Sequence, residues 1–108
     1  MIPLSIPQIE ELIRQEKALI IYFYSDSCAP CVSLRPKVTE MVEKQFPLMK
    51  LVFVNSAVNP EIPAHFGIFS SPTLLVYFEG KEYKRLSKYI SISQLEKTIK
   101  RPYSMVFE

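Results

Sequence analysis

The feature that most constrains the fold is an almost unbroken apolar run at residues 18–24, with the sequence Ala-Leu-Ile-Ile-Tyr-Phe-Tyr. A strand with one solvent-facing side alternates apolar and polar residues, whereas a strand covered on both faces is apolar throughout. Residues 51–54, Leu-Val-Phe-Val, form a second run of this kind. The two runs predict strands inside a sheet that carries helices on both faces.

Helical patterns separate these runs. Apolar residues recur with helical spacing around residues 6–13, 38–46 and 92–99. Ser5 and Ser91 each stand three residues before a glutamine, which is the spacing of a capping box. These patterns predict three helices, the second of which connects the two strands.

Proline and glycine predict where several elements begin and end. Asn59 followed by Pro60 and an acid is typical of a helix that starts with Asn59 as its N-cap, and Gly67 suits the end of that short helix. Pro102 is predicted to lie beyond the last helix. Gly80 separates two strand patterns and predicts a β-hairpin.

The predicted element order is helix, strand, helix, strand, helix, strand, strand, helix. Early alternation of strands and helices indicates parallel pairing through helical crossovers, and the late hairpin adds an antiparallel strand. We therefore predict an α/β fold in three layers, α/β/α, with a mixed central sheet, a C-terminal β-hairpin and a final helix. At 108 residues the chain is expected to form a single domain over residues 1–108.

The chemistry of the chain is indicated by the motif Cys28-Ala29-Pro30-Cys31, which lies where the first apolar run gives way to a helical pattern. A helix N-terminus offers free N–H groups and partial positive charge to the first sulfur, and both stabilise the reactive thiolate. Pro30 suits the first helical turn because its missing N–H would have no partner there. This placement predicts a redox-active dithiol.

Two other roles are open to the cysteine pair at this point: half of a zinc site, or two buried and inert thiols. Zinc sites need three or four protein ligands, and the chain has two cysteines and one histidine, His65, far along the sequence. No carboxylate is spaced to complete a ligand set. We expect neither a metal ion nor a cofactor.

Composition and charge restrict the class of partner. The net charge of +2 is too small to indicate nucleic-acid binding, and no apolar stretch reaches the length of a membrane span. The first residues lack the basic and apolar regions of a signal peptide, so a cytoplasmic location is expected. In the cytoplasm a cysteine pair is more often catalytic than a permanent crosslink.

The chain resembles thioredoxins over nearly its whole length. The resemblance rests on the Cys-Ala-Pro-Cys motif, on Pro36 five residues past Cys31, and on the segment Ser-Pro-Thr-Leu-Leu-Val-Tyr-Phe at 71–78. It implies that Cys28 is the nucleophile and Cys31 the buried resolving cysteine. It also implies a cis peptide bond before Pro72, which leaves the backbone of Ser71 free to pair with a substrate strand.

Several positions depart from the family pattern. The resemblance implies a buried Asp and a buried Lys at the positions of Tyr22 and Phe53, and a glycine at the position of Lys88. Without the Asp–Lys pair, we expect Cys31 to lose its proton slowly, because an apolar pocket raises the pKa of a thiol. Lys88 is expected to favour acidic partners. The predicted substrate-binding residues are Ala29, Pro30, Ser71, Pro72 and Lys88.

The function predicted from these features is thiol–disulfide oxidoreduction, chiefly reduction of protein disulfides. The expected partners are disulfide-containing proteins and a reductase that recharges the dithiol, and the chain is expected to be a monomer that binds neither nucleic acid nor membranes. Two alternatives stand beside this prediction. One is a binding or adaptor module with vestigial cysteines, and the other is an isomerase-like enzyme that persists as the mixed disulfide.

Overall fold

The computed structural model describes residues 4–108. Its eight elements follow the predicted order: α1 (Ile6–Gln15), β1 (Ala18–Tyr24), α2 (Ala29–Gln45), β2 (Lys50–Asn55), α3 (Glu61–His65), β3 (Thr73–Phe78), β4 (Lys81–Ser87) and α4 (Ile92–Phe107). None of the helices in this part of the chain has the length and apolar character needed to cross a membrane.

The four strands form one mixed sheet in the order β2-β1-β3-β4. β1 is parallel to β2 and antiparallel to β3, and β3 and β4 form the predicted hairpin. The apolar run of β1 therefore lies in the interior of the sheet, as predicted. The register places Tyr22 directly beside Phe53.

Helices cover both faces of the sheet, so the three-layer prediction is confirmed. Ile20 and Tyr22 of β1 point into a core formed with α2 and α4. The odd-numbered residues between and beside them point into a second core formed with α1 and α3. Since side chains alternate along a strand, one apolar strand supplies both cores. This arrangement fixes the start of α2 against the end of β1, where the cysteines lie.

The predicted capping box is complete at Ser5, whereas at Ser91 only the bond to the serine side chain is formed. The backbone N–H of Gln8 donates to Ser5 Oγ at 3.3 Å, and the backbone N–H of Ser5 donates to Gln8 Oε1 at 2.8 Å. Ser91 Oγ accepts from the backbone N–H of Gln94 at 3.3 Å. Both serines are therefore N-caps.

The predicted N-cap at Asn59 is wrong. Pro60 occupies the N-cap position of α3, and no side chain caps this helix. The backbone carbonyl of Asn59 accepts the N–H of Ile62 at 3.1 Å, while the backbone N–H of Asn59 bonds to the carbonyl of Asn55 at 3.2 Å. The backbone carbonyl of Asn59 therefore accepts the N–H that the prediction assigned to its side chain.

The prediction that Pro102 lies beyond the last helix is also wrong, because α4 continues through it to Phe107. A proline inside a helix removes one backbone hydrogen bond and crowds the preceding turn. The turns after it pack on the core and outweigh that cost. Tyr103 stacks edge-on against Phe46 at 5.0 Å between ring centroids, and its hydroxyl accepts the backbone N–H of Leu48 at 3.0 Å.

Candidate active site

The two cysteines lie in the first turn of α2 and are joined by a disulfide, with their Cα atoms 5.2 Å apart. Cys28 is the N-cap, and the backbone N–H of Cys31 donates to its Sγ at 3.2 Å. Cys28 is partly exposed, whereas Cys31 is 2% exposed. Only the first sulfur therefore combines access from solvent with the N–H and the partial positive charge of a helix N-terminus.

This geometry bears on the alternatives left open by the sequence. The reading of both cysteines as buried thiols is wrong for Cys28, which is partly exposed. A zinc site needs at least three protein ligands. Among residues 4–108, no three His, Cys, Asp or Glu side chains lie together in a way that fits a metal ion.

Tyr22 lies beneath the cysteine pair and is fully buried. Its hydroxyl donates to the backbone carbonyl of Cys31 at 2.8 Å. Burial raises the pKa of Tyr22 to about 12, against the opposing effect of the Arg35 charge. At neutral pH the hydroxyl is therefore protonated and committed as a donor, so Tyr22 ties the first turn of α2 to the sheet and is not a base.

Phe53 and Arg35 complete the surroundings of this tyrosine. The ring of Phe53 packs against that of Tyr22, with 5.4 Å between centroids. The guanidinium of Arg35 lies over Phe53 at 4.1 Å and over Tyr24 at 5.1 Å from the ring centroids, within the range of cation–π contacts. Sequence reasoning missed Arg35. Its spacing of four residues from Cys31 on one helix was the signal available.

The segment before β3 supplies the other side of the site. The Ser71–Pro72 peptide bond is cis, as the family resemblance implied. Pro72 is buried, and its carbonyl accepts the backbone N–H of Lys88 at 3.3 Å. Thr73 Oγ1 donates to the carbonyl of Ser70 at 2.8 Å, which closes the preceding turn. The bond between Lys88 and Pro72 joins the loop after β4 to the loop before β3.

A groove of about 350 Å³ runs beside the cysteine pair between α2 and the loop after β4. It brings together three predicted substrate-binding residues, Pro30, Pro72 and Lys88. The other lining residues were not predicted to bind substrate: Ser33, Leu34, Lys37, Tyr89, Ile90 and Ser91. The groove residues on α2 lie three, four and seven residues after Pro30, and this helical spacing was the signal available for them.

The other two predicted substrate-binding residues lie outside this groove. Ala29 is exposed at the first position of α2. Ser71 lines a second depression of about 260 Å³ with Ser56, Pro63, Ile68, Phe69 and Ser70. The cis-proline segment therefore separates two concave surfaces, one on each side.

Comparison with known proteins agrees with this site. The thioredoxin family model matches residues 3–101. Over 101 residues the chain is 33% identical to the thioredoxin-like protein YdfQ of Bacillus subtilis, a match that covers 94% of this chain and 89% of the relative. The chain belongs to the thioredoxin family.

Two further relatives are thioredoxins by name. The chain is 31% identical over 87 residues to a thioredoxin of Alicyclobacillus acidocaldarius, covering 81% of this chain and 83% of that one. The structure of thioredoxin 1 from Thermosipho africanus superposes with a TM-score of 0.75 at 28% identity, covering 83% of this chain and 99% of that one. As a member of the thioredoxin family with its cysteine pair joined in a disulfide, the protein is a thiol–disulfide oxidoreductase of the protein-disulfide reductase type.

Within this thioredoxin fold, Lys88 stands in an unusual backbone conformation, with φ of 64°. Glycine adopts this left-handed region without cost, whereas a residue with a Cβ is strained there. That preference explains why the family resemblance implied glycine at this position. This chain keeps a lysine there in spite of the strain.

Proposed function

We propose that this protein reduces disulfide bonds in other proteins with Cys28 as the nucleophile and Cys31 as the resolving cysteine. The observation that carries the assignment is the asymmetry of the pair. Cys28 is partly exposed and its Sγ accepts the Cys31 N–H, whereas Cys31 is 2% exposed. The thiolate is the attacking form, and an N–H at the sulfur stabilises it.

The reaction begins from the reduced dithiol. The Cys28 thiolate attacks one sulfur of a substrate disulfide, which forms a mixed disulfide and releases the other substrate sulfur as a thiolate. Cys31 then loses its proton and attacks the Cys28 sulfur, which forms the Cys28–Cys31 disulfide and releases the second substrate thiolate. Two electrons pass to the substrate, and two protons, one of them from Cys31, convert its sulfurs to thiols.

The substrate surface in this proposal consists of Ala29, Pro30, Ser71, Pro72 and Lys88. The cis bond before Pro72 and the adjoining grooves support it, because an extended substrate segment has room on both sides of that residue. The Ser71 backbone is proposed to pair with that segment as an added strand.

The oxidised product is returned to the dithiol by a reductase that delivers two electrons. We propose that the protein acts in the cytoplasm as a monomer and as one domain over residues 1–108. The support for the compartment is that a dithiol reductant works where thiols are kept reduced.

The proposal is tested by insulin reduction with dithiothreitol as the electron source, comparing the unaltered protein with Cys28→Ser and Cys31→Ser. We expect activity in the unaltered protein alone, and mixed disulfides that accumulate only in Cys31→Ser. An inactive unaltered protein supports the adaptor alternative. Equal trapping by both variants contradicts the assigned roles.

The isomerase-like alternative has one observation in its favour. Tyr22 donates to a carbonyl and remains protonated, so it does not take the proton from Cys31. Slow resolution prolongs the mixed disulfide, which is the state in which a substrate rearranges its own disulfides. Recovery of activity in scrambled ribonuclease, measured against the rate of insulin reduction, separates the two activities.

A further inference from the structure

We propose that the groove between α2 and the loop after β4 selects substrates that carry acidic residues next to the disulfide. This inference rests on the proposed function, because it names the class of protein disulfide that the dithiol reduces. Two lysines, Lys37 and Lys88, line this groove.

The groove adjoins the cysteine motif through Pro30. Pro30 lies between the two cysteines in sequence, and Pro72 follows the cis bond on the opposite wall. From there the wall follows α2 to Lys37, seven residues beyond Pro30. At 1.5 Å of rise per residue this is about 10 Å, a distance that about three residues of extended chain span. The groove therefore fits a short extended segment that leads away from the substrate cysteine.

The charge of the groove has one sign. Its nine lining residues include Lys37 and Lys88 and no carboxylate. No salt bridge within residues 4–108 involves either lysine. The floor between them is formed by apolar side chains such as Leu34 and Ile90, and Tyr89 is 99% exposed at the rim. Uncompensated cations beside an apolar floor attract a carboxylate on a passing chain.

The backbone at Lys88 supports a role for its side chain. Its φ of 64° costs stability that a glycine would not cost, and its N–H is bonded to the carbonyl of Pro72. A strained residue that the fold retains at the edge of an active site is a reason to look for a function of that side chain. The side chain adds positive charge at the mouth of the groove, next to the cis-proline.

The occupant is a polypeptide segment because the lining includes Pro30 of the cysteine motif and the cis-proline Pro72, beside which a protein disulfide must approach. From the helix rise between Pro30 and Lys37, we expect an acidic residue about three positions from the substrate cysteine to approach Lys37, and one nearer the cysteine to approach Lys88. The lysines at this site thus favour binding of the acidic segment and increase its rate of encounter.

The test uses two disulfide peptides of equal length, one with glutamates at the first three positions after the reactive cysteine and one with glutamines there. The measured quantity is the ratio of kcat/KM for the two peptides, at about 0.02 M and about 0.5 M salt. We expect the unaltered protein to prefer the acidic peptide by about twofold to fivefold for each lysine at low salt. High salt should reduce this preference, since the charges lie at the surface.

Lys37→Gln and Lys88→Gln each remove a charge and leave a polar side chain that is one atom shorter, and at position 88 the backbone strain is the same. We expect each to lower the preference and the double variant to abolish it. Lys84→Gln removes the same charge from the exposed face of β4, outside the groove, and is expected to keep the preference.

Three outcomes overturn the inference. The unaltered protein shows no preference, or Lys84→Gln lowers the preference as much as the groove variants, or the double variant retains it. In each of these cases the peptides are still reduced and the proposed function stands. Failure of the unaltered protein to reduce either peptide contradicts the proposed function itself.

Discussion

Replacing Tyr22 by phenylalanine removes one hydroxyl from beneath the cysteine pair and leaves the ring in place. The ring is fully buried and packs against Phe53, so the variant creates no large cavity. What it loses is the 2.8 Å hydrogen bond to the carbonyl of Cys31. We expect lower stability and an unchanged dependence of the resolution rate on pH.

The stability cost follows from that single bond. A typical buried hydrogen bond contributes about 1 kcal/mol net, because folding exchanges bonds to water for bonds within the protein. For a chain of this size, about 1 kcal/mol corresponds to about 4 °C in Tm. Tyr24→Phe is the matched control, since Tyr24 lies on the same strand with a half-buried ring below Arg35 and its hydroxyl does not contact the Cys31 carbonyl. The control is expected to change Tm by less than half as much.

The pH dependence of the resolution rate reflects proton loss from Cys31. Tyr22 has a pKa of about 12 and is occupied as a donor, so it accepts no proton at neutral pH. A thiol that is 2% exposed ionises late, and an unperturbed cysteine already has a pKa of about 8.5. We expect the rate at which Cys31 attacks a Cys28 mixed disulfide to keep rising above about pH 8 in both the unaltered protein and Tyr22→Phe.

Thermal unfolding followed by circular dichroism measures the first effect, and stopped-flow resolution of a preformed mixed disulfide measures the second. The reasoning is refuted if Tyr22→Phe is as stable as the unaltered protein. It is also refuted if the resolution rate of the unaltered protein is already flat by pH 7 and this plateau disappears in Tyr22→Phe. That second result would make the hydroxyl a proton acceptor.

Other predictions concern single sites. Lys88→Gly should raise the free energy of unfolding by about 0.5 to 1 kcal/mol, because the relief of backbone strain exceeds the entropy cost of glycine. Lys88→Ala retains the strain and should not raise it, and urea unfolding compares the two variants. Limited alkylation of the reduced protein followed by peptide mapping should label Cys28 before Cys31. Burial raises the pKa of Tyr22 from 10.0 to about 12, so the stability that this residue contributes is complete below pH 10 and falls as the pH rises toward 12. Tyr22→Phe should therefore lose less stability at alkaline pH than the unaltered protein, as measured by chemical unfolding at each pH.

The sequence predicted every helix and strand, most of them from periodic or continuous apolar patterns, and α3 and the β3–β4 hairpin from proline and glycine. The run at 18–24 is buried as an interior strand, and Ser5 forms both halves of its capping box. The predictions failed where tertiary contacts override local preference. Pro102 stays inside a helix because Tyr103 beyond it packs against Phe46, a contact between residues far apart in the chain.

The site was predictable to a different degree for each residue. The positions of Cys28 and Cys31 follow from a motif at a strand–helix junction, and the cis bond before Pro72 followed from family resemblance. The location of Arg35 over two aromatic rings depends on the register between β1 and β2, which a single sequence does not specify. Predicting the groove at Lys37 likewise requires knowing how close α2 lies to a loop some fifty residues later in the chain.

The substitutions around the cysteine pair combine into one physical consequence. Tyr22 and Phe53 stand where the family resemblance implied an Asp and a Lys, so neither position supplies a carboxylate to exchange a proton with Cys31, and the Arg35 guanidinium lies over the Phe53 ring. We therefore expect the proton of Cys31 to pass to water or hydroxide that enters from the solvent. A substrate that fills the groove beside Pro30 and Pro72 limits that access. Substrate release should therefore slow as the groove is better filled. Compared with the neutral peptide, the acidic peptide should gain more in the rate of mixed-disulfide formation than in the rate of its resolution. Stopped-flow measurement of both steps with the acidic and neutral peptides tests this directly, and equal gains in the two rates would contradict it.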